Sequence, residues 1–461
     1  MPAPNIVFVL CDDLGWRDLG CYGSGFYETP HLDRLAAEGM RFTDAYAAAP
    51  VCSPTRASLL TGRYPARLGL TNYIGGAARG RLIDAPYVDH LAAEEQSLAR
   101  ALAEGGYACW HVGKWHLGPR PFYPEAHGFE VNVAGCDWGH PHHGYFSPWG
   151  IETLSDGPDG AYLTDRLTDE AIALLRGHAD GRPFFLNLWH YAVHTPIQAP
   201  PALREKYERK ARRLGLQGLA ALQEGEPFPC AHKRQQRVTR RRLQSDTAYA
   251  AMVENLDWNV GRLLRALEET GQAGRTLVVF TSDNGGLATS EGSPTCNAPL
   301  AEGKGWMYDG GVREPLLVRW PGRVRPGGVC AAPVISPDLY PTLLEAAGLP
   351  PRPRQHADGV SLLPLLAETG GLGREAIFWH YPHYGNQGGT PGSAVRAGDD
   401  KLLEFHEDGR LELYNLREDI SEAHDLAAVS PERAAHLRAL LAAWRESLGA
   451  RLPVRNPDWA P

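Results

Sequence analysis

Four short apolar runs in this chain break off abruptly into charged or hydrogen-bonding residues. NIVFVL (5–10) runs into Asp12 and Asp13, YACWHV (107–112) into Lys114 and His116, PFFLNLW (183–189) into His190 and His194, and TLVVF (276–280) into Asp283 and Asn284. Runs this short, apolar on consecutive positions and rich in β-branched and aromatic residues, read as strands buried on both faces of a helix-covered sheet. Helical stretches such as PHLDRLAAEGM and MVENLDWNVGRLLRALEETG lie between them, with Gly39 and Gly271 as expected helix ends. Ligands of open α/β sheets gather beyond the carboxyl ends of the strands. The four polar clusters therefore converge on one expected site.

The pattern changes after about residue 370. AVRAGDDKLLEFHEDGRLELYNL alternates like antiparallel strands with Asp408-Gly409 as a hairpin turn, and PERAAHLRALLAAWRESLG reads as an amphipathic terminal helix. The expected organisation is a catalytic domain over 1–368 and a smaller α+β subdomain over 369–461. A formal net charge of -8 provides no global basic field for nucleic acid or anionic membrane, so an anionic substrate needs a local cationic pocket. The 8 cysteines contain no Cys-x-x-Cys pair and are too sparse for a disulfide scaffold. The N-terminal stretch lacks a basic n-region and a small-residue cleavage site, and its apolar run is too short to span a bilayer. As it stands the sequence reads as cytoplasmic, or periplasmic or secreted if a leader has been removed; oligomeric state has no signature here.

Asp12, Asp13, Asp283 and Asn284 are oxygen donors, a set that suits a hard divalent cation, calcium or magnesium, better than zinc. Read singly, Asp-Asp and Asp-Asn-Gly-Gly are also ordinary turn formers. Cys52 stands in VCSPTRASLLTGRYPAR, where Ser53 and Thr55 are expected to cap a helix with Pro54 at its first position. That arrangement would put Cys52 beside backbone N–H groups that favour an anion.

The stretch CSPTRASLLTGR resembles the signature of the type I sulfatase family, in which the cysteine of Cys-x-Pro-x-Arg becomes formylglycine. The likeness continues in family order through HVGKWHLG, HYAVHTP, TSDNGG and GKGWMYDGGVREP, and extends to HYPHYGNQGGTPGSAVRAGDDKLLEF. It implies an alkaline-phosphatase-like α/β fold: a large mixed sheet flanked by helices, with a smaller C-terminal subdomain of antiparallel sheet plus terminal helix. It implies hydrolysis of an aryl or carbohydrate sulfate ester, a formylglycine derived from Cys52, a Ca2+ or Mg2+ ion on Asp12, Asp13, Cys52, Asp283 and Asn284, and a formylglycine-generating maturation enzyme as partner. Arg56, Lys114, His116 and Lys304 would then clamp sulfate and nucleophile, His194 would protonate the leaving oxygen, and His190 would brace the loop. Asp309 stands where the family often has glutamate before the paired glycines. The chemistry accounts for the grouping. A sulfate ester resists attack until cations neutralise it. One hydroxyl of an aldehyde hydrate can displace the alcohol and the second lets the adduct collapse, which a thiol could not do.

GHPHHGYFSPWG (139–150) and FWHYPHYGNQGG (378–389) are rich in His, Tyr and Trp, and His142, His143, His380 and His383 are the expected substrate-pocket residues. An equally ordinary reading is a polar loop and a strand edge. HKRQQRVTRRR (232–242) holds six Lys or Arg and no acid; a solvated helix face is expected, with a patch for a polysulfated polymer as the functional alternative. Two other functions compete: a phosphate or phosphonate monoester hydrolase of the same superfamily, and a catalytically silent protein that binds sulfated glycans. The form of the signature and the single-metal donor set favour sulfate, and the intact cation set argues against a silent site.

Overall fold

Strand Asn5–Cys11 (β1) is buried along its whole length because both of its faces enter apolar cores: Val7, Val9 and Cys11 one core, Ile6, Phe8 and Leu10 the other. This is the double burial that its unbroken apolar run predicts. The computed structural model describes residues 3–459. Eight further strands share the sheet: Met40–Tyr46 (β2), Ala108–Gly113 (β3), Val131–Val133 (β4), Phe184–Trp189 (β5), Thr276–Ser282 (β6), Arg313–Arg319 (β7), Gly328–Cys330 (β8) and Val334–Ile335 (β9). Their order is β8-β2-β7-β6-β1-β5-β3-β4, with β9 also on β2, and every pairing is parallel except those of β7 with β2 and β6. The register aligns the strand ends: Leu10 lies opposite Trp189, Cys11 opposite Ser282, and Gly113 opposite Trp189. Asp12, Lys114, His190 and Asp283 therefore leave the sheet at one level.

Helices Pro30–Glu38 (α1), Leu163–Gly177 (α3) and Thr247–Glu269 (α4) cover one face, and Cys52–Thr61 (α2) lies on the other. Gly271 follows α4 in the left-handed conformation, φ 69°, as a helix end requires. Gly39 ends α1 for a different reason: its φ is −134°, and a Cβ there would stand 2.3 Å from the Val318 carbonyl of β7.

Beyond the main sheet, Ile377–Tyr381 (β10), Gly392–Ala397 (β11), Asp400–Phe405 (β12) and Leu411–Asn415 (β13) form an antiparallel sheet in chain order, backed by helix Pro431–Leu448 (α5). Leu437 and Leu441 of α5 pack on Val395, Leu402 and Leu413, while Trp379, Ala394 and Leu403 pack on Tyr46, Val51 and Val312 of the larger part. The basic run does not form the expected solvated helix. Arg237–Arg241 is a strand, antiparallel to Leu222–Pro227, because Val238 is drawn into an apolar cluster with Phe228 and Cys230. Acids outside the run answer its charges: Arg240 binds Glu226 and Glu302, and Arg241 binds Asp246, five residues on. Among the described residues no helix is long and apolar enough to cross a membrane.

Candidate active site

Helix α2 opens at Cys52 itself, with Val51 extended before it and no side chain capping it. The capping expected of Ser53 and Thr55 is thus corrected. Ser53 Oγ accepts from the Ile74 N–H at 3.2 Å, and Thr55 Oγ1 bridges the N–H and carbonyl of Ala49. Pro54 falls at the third helical position, where its missing N–H is harmless because the first four of a helix lack intrahelical partners. All ten residues of α2 are buried, so the helix carries no amphipathic stripe.

The Cys52 thiol donates to His116 Nδ1 at 3.3 Å, and His116 Nε2 donates to the Ile74 carbonyl at 3.3 Å. Burial raises the Cys52 pKa against the pull of Lys114 and Lys304, and burial together with Lys114 and Arg56 holds His116 well below the usual histidine range. Arg56, one turn along α2, sets its Nε and Nη2 at 2.9 and 2.7 Å from Asp283 Oδ2, and Nη1 donates to the Lys114 carbonyl. Lys114 pairs with Asp12 Oδ2 at 2.6 Å. Lys304 pairs with Asp13 Oδ2 at 2.9 Å and donates to His194 Nε2 at 2.9 Å. Since His194 Nδ1 faces the Thr195 carbonyl at 2.9 Å, Nδ1 carries the proton and Nε2 the lone pair.

Burial opposes ionisation of Asp13 and Asp283, with opposite results. Lys304 and His194, helped by the Asn284 amide, outweigh it at Asp13 and hold that carboxyl down to about 2. At Asp283 burial and the neighbouring Asp12 charge outweigh Arg56 and Lys114, and the carboxyl is pushed up to about 6. Three carboxylates and three cations thus balance in one buried cluster. Two acceptors remain over: Asp12 Oδ1 and Asn284 Oδ1 are buried with no partner. An acceptor left so costs about 1–3 kcal/mol. Orphan oxygens on Asp12 and Asn284, beside an Asp13 bonded to Asn284 Nδ2 at 2.8 Å, are the donor set a hard divalent cation takes. Asp12, Asp13 and His194 also each present a ligand atom within 4.8 Å of one another, which adds His194 to the candidates.

Over His116 passes the 138–143 segment; a Cβ on Gly139 would stand 2.7 Å from the His116 ring. His142 and His143 are exposed there, and His142 stacks on Trp138 at 4.1 Å and reaches the site through His140, whose ring stacks on His194 at 6.0 Å. His190 is buried with neither ring nitrogen bonded. His380 and His383 do not line an open pocket, which corrects the expectation. His380 is locked between Ser393 Oγ and the Arg451 carbonyl, at 2.8 and 2.9 Å, and His383 is fully buried against Thr71 Oγ1 at 2.8 Å. Sequence reasoning passed over His140, although its Gly-His pair sat in a stretch already singled out. It also missed Tyr73 and Glu291, whose Tyr-Ile-Gly-Gly and Ser-Glu-Gly-Ser settings carry no motif that points to a site.

A family model described as Sulfatase matches residues 4–349, and one described as N-sulphoglucosamine sulphohydrolase, C-terminal, matches 302–445. The chain is 35% identical over 397 residues to the N-acetylgalactosamine-6-sulfatase of Homo sapiens, covering 82% of this chain and 68% of that protein. It is also 35% identical over 392 residues to arylsulfatase A of Homo sapiens, covering 83% and 71%. The crystal structure of Ps i-CgsB in complex with k-i-k-neocarrahexaose superposes with a TM-score of 0.77 at 28% identity, covering 99% of this chain and 94% of that one.

Proposed function

The chain belongs to the sulfatase family and is a sulfatase enzyme, and from that premise we propose that it hydrolyses a carbohydrate sulfate with a formylglycine made from Cys52 and one divalent cation, calcium or magnesium. The observation that carries the metal reading is the pair of orphaned oxygens, Asp12 Oδ1 and Asn284 Oδ1. Asp12, Asp13 and Asn284 would hold the cation, with Asp283 and His194 beside them. The cation supplies charge stabilisation to the sulfate oxygens, and formylglycine supplies a hydroxyl nucleophile that is regenerated after each turnover.

The protein's own side chains set the rest. The balanced cluster has no net charge to spare, so a dication adds the two positive charges that a released sulfate dianion cancels. Lys114 and Lys304 hold sulfate oxygens and orient sulfur towards residue 52. His116 holds residue 52 by the contact it now makes with Sγ. Arg56 fixes the Asp283 carboxylate and braces the Lys114 loop. His194 Nε2 bears a lone pair facing the Lys304 ammonium; once the anionic sulfate engages Lys304, Nε2 takes up a proton from solvent and gives it to the leaving oxygen, returning to the neutral ring. A carbohydrate substrate is supported by the named activity of the N-acetylgalactosamine-6-sulfatase relative and the oligosaccharide in the Ps i-CgsB complex. The division at 368/369 is retained, with 369–461 bearing on the Lys304 loop.

The test is the mass of the peptide containing residue 52, from protein made beside a formylglycine-generating enzyme, followed by turnover of matched aryl sulfate and aryl phosphate. An aldehyde and a preference for sulfate are expected. An untouched thiol in a protein that still cleaves sulfate would overturn the nucleophile, and a preference for phosphate would overturn the reaction.

A further inference from the structure

Beside the sulfate clamp the chain turns through four residues in the left-handed region: Ser290, Glu291, Gly292 and Ser293, at φ 55°, 49°, 89° and 41°. Three of the four have side chains, for which this conformation is unfavourable and persists only where the surroundings impose it. The surroundings do so here. Ser290 N–H and Ser293 Oγ both donate to the Thr239 carbonyl, at 2.7 and 3.0 Å, and Arg241 Nε donates to the Ser293 carbonyl. The hairpin strand that carries the basic run thus fixes this turn.

What the turn presents is Glu291, exposed to solvent and held on one side only. Gln387 Nε2 donates to Glu291 Oε2 at 2.8 Å, and Oε1 has no protein partner among the described residues. Gln387 is buried, and in facing Glu291 it leaves its own Oε1 unpaired, pressed so close to Gly305 that a Cβ there would stand 2.4 Å away. The amide therefore gives up a hydrogen bond to fix the carboxylate next to the segment that bears Lys304. The neighbouring Asn386 Nδ2 donates to Tyr73 Oη at 2.6 Å, and Lys233 spends its ammonium on the Asn386 carbonyl at 2.9 Å. The Glu291 charge is felt at Lys304, His140 and Tyr73, three groups that surround the mouth of the site.

An anionic substrate normally meets cations, so a carboxylate fixed at the mouth acts against any substituent that carries a second negative charge. We infer that Glu291 selects the alcohol part of the substrate, its free oxygen accepting from an ammonium or hydroxyl group of a sugar and rejecting an anionic substituent at the same place. This rests on the sulfatase reading. Gln387 is the positioning residue for that oxygen.

The experiment uses the formylglycine-bearing, metal-loaded protein and first establishes turnover of 4-nitrophenyl sulfate; loss at that step counts against the proposed function and not against Glu291. Glucosamine 6-sulfate, its N-acetyl form and its N-sulfo form are then compared, each as substrate or as competitive inhibitor of the aryl sulfate. In the wild type the free amine should bind about tenfold more tightly than the N-sulfo form, with the N-acetyl form between them. Glu291→Gln should bring the three within about twofold, and Glu291→Lys should reverse the order. An N-sulfo form bound as tightly as the amine by the wild type, no measurable affinity for the amine, or an order unchanged in Glu291→Gln and Glu291→Lys would each overturn the inference.

Discussion

Two buried ion clusters in this molecule are built from the same residue types and finish in opposite states. At the sheet ends, Asp12, Asp13 and Asp283 are matched by Lys114, Lys304 and Arg56, yet Asp12 Oδ1 and Asn284 Oδ1 are left without partners. Where the main sheet meets the C-terminal one, Lys401 binds Asp309 at 2.7 Å and Glu422 at 2.9 Å. Asp309 also takes Tyr46 Oη and Arg313, and Glu422 takes the Asp309 N–H at 2.6 Å, so no oxygen of either carboxylate is orphaned. The first cluster has its hydrogen-bonding capacity filled from within the protein only in part; the second has it filled completely. The saturated cluster pins the turn Asp309–Val312, which follows the Lys304 segment, to the C-terminal sheet. The shorter aspartate, where the family often has glutamate, is the residue that meets Lys401, Arg313 and Tyr46 together.

The largest expected contrast is in turnover. Cys52→Ala should lower sulfate release by about 10⁴-fold or more with the melting temperature little changed, since the loss falls on the unsaturated site. Lys401→Met should do the reverse. It leaves the buried Glu422 without a cation and removes one of the two cations on Asp309, and should cost about 3–5 kcal/mol in denaturant unfolding, while the folded fraction keeps its KM; a KM that rises with it would show that the saturated cluster is no mere anchor.

Ligand response sharpens the comparison further. Calcium at about a hundred times its Kd should add about 2.7 kcal/mol to stability. Asn284→Ala should abolish that gain and Lys401→Met should keep it, as read by thermal melts with and without chelator. The smallest effect concerns pH in the C-terminal part. Burial, with Arg445, holds His380 down to about 4, although its bond to the Arg451 carbonyl works the other way. The folded protein then keeps His380 neutral where the unfolded chain binds a proton, so stability is full above about pH 6.5 and falls as pH drops towards 4. His380 contributes about 2 kcal/mol of loss at pH 5; His380→Gln should recover about that much, while His111, His127, His190 and His406, also held low by burial, keep the rest of the slope.

Much of this arrangement is legible in the chain, for uneven reasons. β1, β3, β5 and β6 declare themselves because a strand buried on both faces must be apolar throughout, and their ends give Asp12, Lys114, His190 and Asp283 directly, with His194 a few residues on. The start of α2 is misread because a helix buried on every side has no stripe, and its hydroxyls are spent on Ile74 and Ala49 instead of on caps. The basic run is misread because the acids on Arg240, Glu226 and Glu302, lie 14 and 62 residues away and because Val238 is drawn into an apolar cluster. His380 looks like a rim residue by composition, but its partners Ser393 and Arg451 are 13 and 71 residues away. Glu291 is illegible for a conformational reason: nothing in its residue type announces a left-handed backbone.

The burial of α2 also fixes a chronology. Cys52 and the nine residues after it have no outward face, so a maturation enzyme that must read this stretch finds it closed off once the sheet has formed. The conversion of Cys52 proposed above would then have to precede folding, and a chain that folded first would keep its thiol.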